Sequence, residues 1–477
     1  KHWIVEEKLQ KLLNEKNDLV IKYIDTSYDE RVRETIKKDR KSLKNLLAAL
    51  KSRVGTTQAK YFASLNYESV FKVFPVWLVK MSDIYKVIPL FTEMFDYVII
   101  DEATQSNIAQ ALPILQRGKK VIITGDPSQL RHFSFLSRAK QDIFKDKLGL
   151  SDVDDYITDY KNTSLLDVVS HSTQFGEQFV SLYEHFRSLP AIIRFSNKNF
   201  YENKLRIMTS KPGLSENLGI ELVDCKGKRI KQGYNNEEAE IIISTLQAII
   251  EDEKNLGINI ASSVGILSPF RDQVENISKK IADTFSLDEI KKHKITINTA
   301  YGFQGDERDI MMLSFAVDNQ THATAFRYLN KEDVFNVSIT RARKMQYVFY
   351  SIKPEKLKAE NLLRQYLESF STKKYAEDDG FVTDDFLDDV SDNLVEKGFQ
   401  TWKNFKIAGL NIELIAKKNN KTVGIDLIGF PGQFAEAFTI ERYKMLTRAG
   451  VDMFPLPYSY WINEKEFCLA EIEKAIK

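Results

Sequence analysis

The sequence predicts an α/β protein built from parallel-sheet domains and closed by a smaller α/β domain. Three observations lead there. The chain has 477 residues, well past the size at which one hydrophobic core stops growing, so several domains are expected. Near Phe95 the hydrophobic period changes from helical spacing to short buried-strand runs. Those runs then alternate with helical segments, an order that requires a parallel sheet and right-handed crossovers.

Residues 1–52 are rich in Lys, Glu and Leu, with Leu43, Leu46, Leu47 and Leu50 at helical spacing and no Gly or Pro, which predicts two long helices. Asp96–Ile100 reads as a buried strand, Ile108–Leu115 as a short helix and Val121–Thr124 as a second strand, together one βαβ unit. Ser151–Asp159 is polar and marks a linker. A second α/β pattern follows. Its strands are Gly219–Val223, Val264–Leu267, Ile295–Ile297, Ile310–Ser314 and Tyr347–Ser351; its helices are Asn236–Ile250 and Gln273–Thr284. The polar, acidic stretch 371–385 predicts another linker. The domain boundaries expected are therefore 1–150, a linker 151–177, 178–370, a linker 371–385, and 386–477.

Composition excludes several classes. Hydrophobic residues at 43% and charged residues at 28% are an ordinary globular mixture. A net charge of +1 means that any nucleic-acid surface is a local basic stripe rather than a global excess. Cys225 and Cys468 are the only cysteines, which argues against a disulfide scaffold or Cys-rich zinc site and fits a reducing, cytoplasmic setting. The longest apolar stretches, such as Tyr97–Ile100 and Val121–Ile123, are strand-sized, so no membrane partner is expected. The chain opens Lys1-His2-Trp3 with neither initiator Met nor signal-like segment, so a fragment of a longer protein is expected.

The chemistry concentrates at strand ends. Val98-Ile99-Ile100-Asp101-Glu102-Ala103-Thr104-Gln105 places two carboxylates at the carboxyl end of a parallel strand, where open α/β sheets bind ligands. In a nucleoside triphosphatase Asp101 would hold Mg²⁺ through its waters and Glu102 would orient or deprotonate the attacking water. The plain alternative is an acidic turn. Thr124-Gly125-Asp126-Pro127-Ser128-Gln129-Leu130 closes the next strand: Gly125 permits a tight turn, and Asp126 and Gln129 suit a phosphate or metal sensor, against the alternative of a simple Asp-Pro turn.

This pair resembles motifs II and III of superfamily 1 helicases, in the branch of the RNA-surveillance helicase and its DNA-acting relatives. Further segments match in the family's order over roughly residues 40–352. Pro75-Val76-Trp77-Leu78 resembles motif Ic, Leu182–Ser188 motif IV, Thr299–Glu307 motif V, and Asn336–Arg343 motif VI. Ser268–Gln273 resembles the strand-end segment that grips nucleic acid. The resemblance implies two RecA-like parallel-sheet domains, the first incomplete, and ATP with Mg²⁺ as cofactors. It further implies Arg187 and Arg341 as arginine fingers, Gln105, Asp126, Gly305 and Glu307 as nucleotide-binding residues, and Gln129 in catalysis. Arg343 reads as structural or coupling. Pro75, Trp77, Pro269, Phe270, Arg271, Thr299 and Thr340 would contact single-stranded nucleic acid, DNA favoured over RNA, with 5′ to 3′ movement.

No Gly-x-x-x-x-Gly-Lys-Ser/Thr occurs; the nearest segment, Gly55–Lys60, lacks the second glycine and the Lys-Ser/Thr pair. The phosphate loop is expected upstream of Lys1, so the chain by itself is expected to hydrolyse ATP poorly or not at all. The rival is a natural pseudo-motor.

The last hundred residues read as helix (Phe386–Gly398), three strands (Ile407–Leu410, Asn411–Ala416, Thr422–Gly429), helix (Ala435–Ala449), strand (Val451–Pro457) and Ser459-x-Trp461. This resembles the restriction-endonuclease-like fold near the very-short-patch-repair type, which implies a possible second metal site at Glu413 and Asp426, with Asp385 or Asp388 as a further acid. Ile428 stands where a lysine or acid is expected, leaving Lys417 and Lys444 as candidate replacements. Two other functions compete with the helicase: a non-hydrolysing nucleic-acid scaffold, and a metal-dependent DNA endonuclease positioned by the motor domains.

Overall fold

A computed structural model describes residues 2–132, 134–172, 178–214, 217–257, 260–371, 384–419, 421–429 and 438–476. The chain divides into two compact units, Lys1–Pro127 with Arg131–Gln174, and Ser128–Leu130 with Phe175–Lys477. Among the described residues no helix is long and apolar enough to cross a membrane.

In the first unit the helical run His2–Lys51 is interrupted at Asp39 (φ −147°, ψ 58°), giving the two helices expected from the sequence. The Asp39 carboxylate accepts from the Ser42 amide at 3.1 Å, restarting the helix as an N-cap. Its second part packs Leu46 and Ala49 against Phe62, Leu65 and Val70. Two strands follow, β1 (Phe95–Ile100) and β2 (Gly118–Ile123), paired in parallel with Ile100 opposite Ile123. The helix Ile108–Leu115 connects them.

The stretch 151–177 departs from the expected linker. Its polar start forms a short helix, Asp155–Thr158, capped by Asp154. Its later part forms the helix Leu165–Ser172, and Leu165 is buried in one cluster with Ile100, Ala103 and Ile114. Burial of one apolar turn outweighs a polar neighbourhood that reads as solvent-facing.

The second unit holds β3 (Glu184–His185) and β4 (Arg206–Ile207), paired in parallel, and a five-stranded parallel sheet. The sheet strands are β5 (Ile220–Asp224), β6 (Val264–Leu267), β7 (Thr296–Asn298), β8 (Arg308–Asp318) and β9 (Ala342–Ser351), in the order β5-β9-β8-β6-β7. All five sequence-predicted strands are present, lengthened or shifted by a few residues. Both faces are covered, and β8 is buried from Ile310 onward, its apolar run broken by Ser314 before it ends at Asp318. One face packs Ile242, Leu246 and Ile277 from the helices Asn236–Asn255 and Arg271–Thr284. The other packs Ile192, Phe195, Val337, Leu363 and Tyr366.

Glu238 is fully buried beneath this sheet. Its carboxylate accepts from Ser314 Oγ at 2.8 Å, the Ala316 amide at 2.9 Å and Ser351 Oγ at 2.8 Å. Burial pushes its pKa up to about 7 against those hydrogen bonds. A carboxyl whose folded pKa is raised contributes stability that is present below its unfolded pKa and lost as pH climbs through the folded one. The melting temperature is therefore expected to fall between about pH 5 and pH 8, less so in Glu238→Gln, as read by thermal unfolding against pH.

The C-terminal domain belongs to the same unit. Strands β10 (Gln400–Ile407), β11 (Leu410–Lys418) and β12 (Lys421–Ile428) are antiparallel, and β13 (Asp452–Pro457) pairs in parallel with β12. The helix Asp385–Glu396 buries Phe386, Leu387, Val390 and Leu394. The sequence placed its first strand at Ile407–Leu410, and the structure corrects this. Ala408 (φ 54°) and Gly409 (φ 80°) form the hairpin turn, and the strand precedes them. The tail after β13 is helical, Tyr458–Asn463; the Trp461 indole is buried and donates to Asp389 at 2.7 Å. Most of the expected 371–385 linker and the start of the expected helix at Ala435 lie outside the described residues.

Candidate nucleotide, nucleic-acid and metal sites

At the carboxyl edge of β1, Asp101 Oδ1 accepts from Thr124 Oγ1 at 2.5 Å and from the Glu102 amide at 2.9 Å. Thr124 stands at the end of β2, so the two strand ends fix the first carboxylate between them. Glu102 adopts φ 54°, ψ 45°, a left-handed conformation uncommon for a residue with a side chain. Such strain persists where surrounding structure over-determines it, and it concentrates at functional sites. Gly125 cannot be enlarged without yielding. An added Cβ would lie 3.2 Å from Leu166 Cδ2 and 3.3 Å from the Ala103 amide nitrogen. Gln105 and Asp126 are half-buried beside this edge of the unit, and Thr104, fully buried, has no partner for its hydroxyl.

Gln129 sits in the second unit. Leu130 anchors it in the main core, Ser128 Oγ donates to the Phe200 carbonyl at 3.1 Å, and Asn336 Nδ2 donates to the Ser128 carbonyl at 2.9 Å. Arg341, buried despite its charge, donates from Nη2 to Gln129 Oε1 at 3.2 Å. Gln129 and Arg341 are thus in direct contact. Arg187 and Arg343 both pair with Glu307, Arg343 Nε donating to Oε1 at 2.7 Å. Contact of the Glu307 carboxylate with a ribose would therefore compete with both arginine pairs. Gly305 has φ +72° with open space where a Cβ would be.

The nucleic-acid candidates divide by exposure. Pro75 and Arg271 face solvent. Trp77 is half-buried: its indole donates to the Phe74 carbonyl at 2.8 Å, and its ring meets Phe71 edge-on at 5.7 Å, so it shapes the segment. The exposed apolar side chains there are Val76 and Leu78. Pro269 is buried, Thr299 is half-buried, and Thr340 returns its hydroxyl to the Asn336 carbonyl at 2.8 Å. Phe270 is half-buried under Arg229, whose guanidinium carbon lies 4.0 Å from the ring centre. The sequence offered no signal for Arg229.

In the C-terminal domain the pairing Leu414↔Ile425 continues one step to set Glu413 opposite Asp426. Asp426 is fully buried; its Oδ2 accepts from the Phe438 amide at 3.0 Å and Tyr443 Oη at 2.7 Å. Its Oδ1 and Glu413 Oε2 are buried without a hydrogen-bond partner. Burial first, and then the charge of Asp426, push Glu413 up to about 7; burial also raises Asp426. The positive charge of Arg442 acts against both shifts. Asp388 pairs with Lys403 at 2.6 Å, and Asp385 is exposed in the first helical turn. Among the described residues no third His, Cys, Asp or Glu completes a metal cluster here.

Two family models, each described as an AAA domain, match residues 161–352 and 82–134. An uncharacterized ATP-dependent helicase of Mycoplasma pneumoniae is 28% identical over 306 residues, 60% of this chain and 25% of that protein. Helicase SEN1 of Saccharomyces cerevisiae is 30% identical over 266 residues, 52% of this chain and 11% of that protein. An arterivirus helicase solved in complex with DNA aligns with 13% identity and a TM-score of 0.25, covering 55% of this chain and 41% of that one. The chain thus spans between 11% and 40% of the length of the curated relatives it matches. The matched domains and these relatives support a superfamily 1 helicase relationship.

Proposed function

We propose that this chain carries the metal, water and arginine side of the ATPase site of a superfamily 1 helicase or translocase, which moves 5′ to 3′ on single-stranded nucleic acid, DNA favoured. The observation that carries this reading is the strained Glu102 beside Asp101, held at the carboxyl end of two parallel strands. Glu93 and Glu202 share the left-handed conformation; Glu102 differs from them in standing beside Asp101 at the carboxyl end of a parallel strand. Asp101 would hold Mg²⁺ through its waters, Glu102 would take the proton of the attacking water, and Arg341 and Arg187 would offset charge on the transferring phosphoryl group. Gln129 and Asp126 would sense the phosphate, with Gln105, Gly305 and Glu307 toward the nucleotide. Mg²⁺ supplies charge neutralisation between phosphate oxygens when bound. With no Gly-x-x-x-x-Gly-Lys-Ser/Thr in the sequence, the phosphate cradle is assigned to none of these residues. The reading places the protein in the cytoplasm.

The test is ATP hydrolysis by the full-length product of the reading frame, with and without single-stranded DNA or RNA. Turnover that rises with one strand type supports the motor and names its track. No turnover with either sinks it in favour of a scaffold.

The C-terminal domain, residues 386–477, is proposed as a nuclease-like domain. The specific observation is that two opposed carboxylates each keep a buried oxygen without a partner. A divalent cation would satisfy both. About 5 mM Mn²⁺ is expected to raise the melting temperature of this chain by a few degrees, by mass action on the folded state. Asp426→Asn is expected to lose the rise; a wild-type melting curve indifferent to Mn²⁺, Mg²⁺ and Ca²⁺ rejects the metal.

A further inference from the structure

The C-terminal domain is seated on the short parallel pair β3–β4, immediately before Arg187. Met208, which follows β4, is almost fully buried in one apolar cluster with Ile407, Ile412, Met445 and Leu446 of the C-terminal domain. Arg448, ending the helix Ile440–Arg448, pairs with Glu184 through two nitrogens, Nε at 2.9 Å. Arg206 Nη1 lies 3.6 Å from Met445 Sδ. A domain that was merely tethered would have no reason to enclose a methionine of its neighbour.

What this grip holds follows from the backbone. The Met208 amide donates to the His185 carbonyl at 2.9 Å, and Thr209 Oγ1 donates to the Ser188 carbonyl at 2.6 Å. Arg187 stands between those two carbonyls. The Ser188 amide donates to His185 Nε2 at 3.0 Å, and Ser188 Oγ donates to the Ala342 carbonyl at 2.7 Å, next to Arg341. Burial first, then the nearby Arg187 charge, lowers the His185 pKa to about 4, so its imidazole is neutral and free to accept that hydrogen bond near neutral pH. The path from the enclosed Met208 to the arginine is therefore two residues wide and hydrogen-bonded on both sides.

We propose that the C-terminal domain is a positioning element of the motor, fixing the Glu184–Ser188 segment through Met208 and the Glu184–Arg448 pair so that Arg187 is held ready. Met208 and Arg448 are positioning residues that act through the Glu184–Ser188 segment. The idea rests on the motor reading, and it is independent of whether the domain cuts DNA.

The test joins two readouts on Arg448→Glu, Met208→Ala and the charge swap Glu184→Arg with Arg448→Glu. Hydrogen exchange of the amides of Glu184–Ser188 and Met208 is followed in this chain. Exchange is expected to speed by about fivefold in Arg448→Glu, the size of a partly exposed ion pair, and by more in Met208→Ala. The swap restores it. In the full-length protein the same variants are expected to lower kcat for ATP by a similar factor with KM little changed, again restored by the swap. Exchange unaffected by either single variant overturns the proposal. So does faster exchange with kcat unchanged in an active protein, which would leave only a dock. A wild-type full-length protein that does not hydrolyse ATP fails the motor reading and takes the proposal with it, whereas an active wild type matched by Arg448→Glu fails the proposal alone.

Discussion

Glu102→Gln in the full-length protein is expected to cut nucleic-acid-stimulated ATP hydrolysis by about 10²–10⁴-fold, the range that a positioned general base contributes. Nucleotide and nucleic-acid affinities should stay close to those of the wild type, because glutamine keeps the size and the hydrogen-bonding reach of the side chain. The backbone supplies the control. Glu102 holds φ 54°, a cost that glycine escapes. Glu102→Gly should therefore be as inactive as Glu102→Gln yet melt no lower, and that combination separates lost chemistry from lost structure. A Glu102→Gln enzyme that retained a tenth of its kcat would remove Glu102 from the proton path. The assay is steady-state hydrolysis at saturating single strand, with nucleotide binding measured separately.

The strand ends were legible because short apolar runs stop at polar residues there: Val98–Ile100 gives way to Asp101 and Glu102, and Val121–Ile123 to Thr124-Gly125-Asp126. Asp101, Glu102 and Asp126 could be placed on that edge by this argument alone. Exposure was not legible. Trp77 was expected to contact nucleic acid and is half-buried against Phe71; Thr340 was expected to do the same and returns its hydroxyl to its own helix. Both depend on what a side chain meets far along the chain, which a motif does not encode. The linker at 151–177 failed for a related reason: the polar start Ser151–Asp159 dominated the reading, while the apolar turn Leu165-Leu166-Asp167-Val168-Val169 shows its role only in the cluster around Ile100. The hairpin at Ala408-Gly409 was misread because its apolar flanks hide the turn chemistry. In the C-terminal domain Glu413 and Asp426 were chosen by resemblance, and the strand register sets them opposite one another. Arg442, on a helix, had no strand-end pattern to reveal it.

Arg341→Ala is expected to lower turnover in the full-length protein by about 10³-fold or more, the contribution that an arginine finger makes to phosphoryl transfer. Arg341→Lys should recover little, because a lysine cannot reproduce the planar fork of donors. The two fingers should differ in their second cost. Arg341 is 2% exposed and donates to Gln129, so its loss leaves buried polar groups with fewer partners and should lower the melting temperature as well. Arg187 is exposed and paired with Glu307, so Arg187→Ala should affect rate with little change in melting. The contact between Arg341 and Gln129 adds a sharper demand. Residues in direct contact couple, so Gln129→Ala and Arg341→Ala should be non-additive in ATP hydrolysis. Additive losses would mean that the glutamine and the arginine act separately, with the 3.2 Å contact a resting arrangement that catalysis does not use.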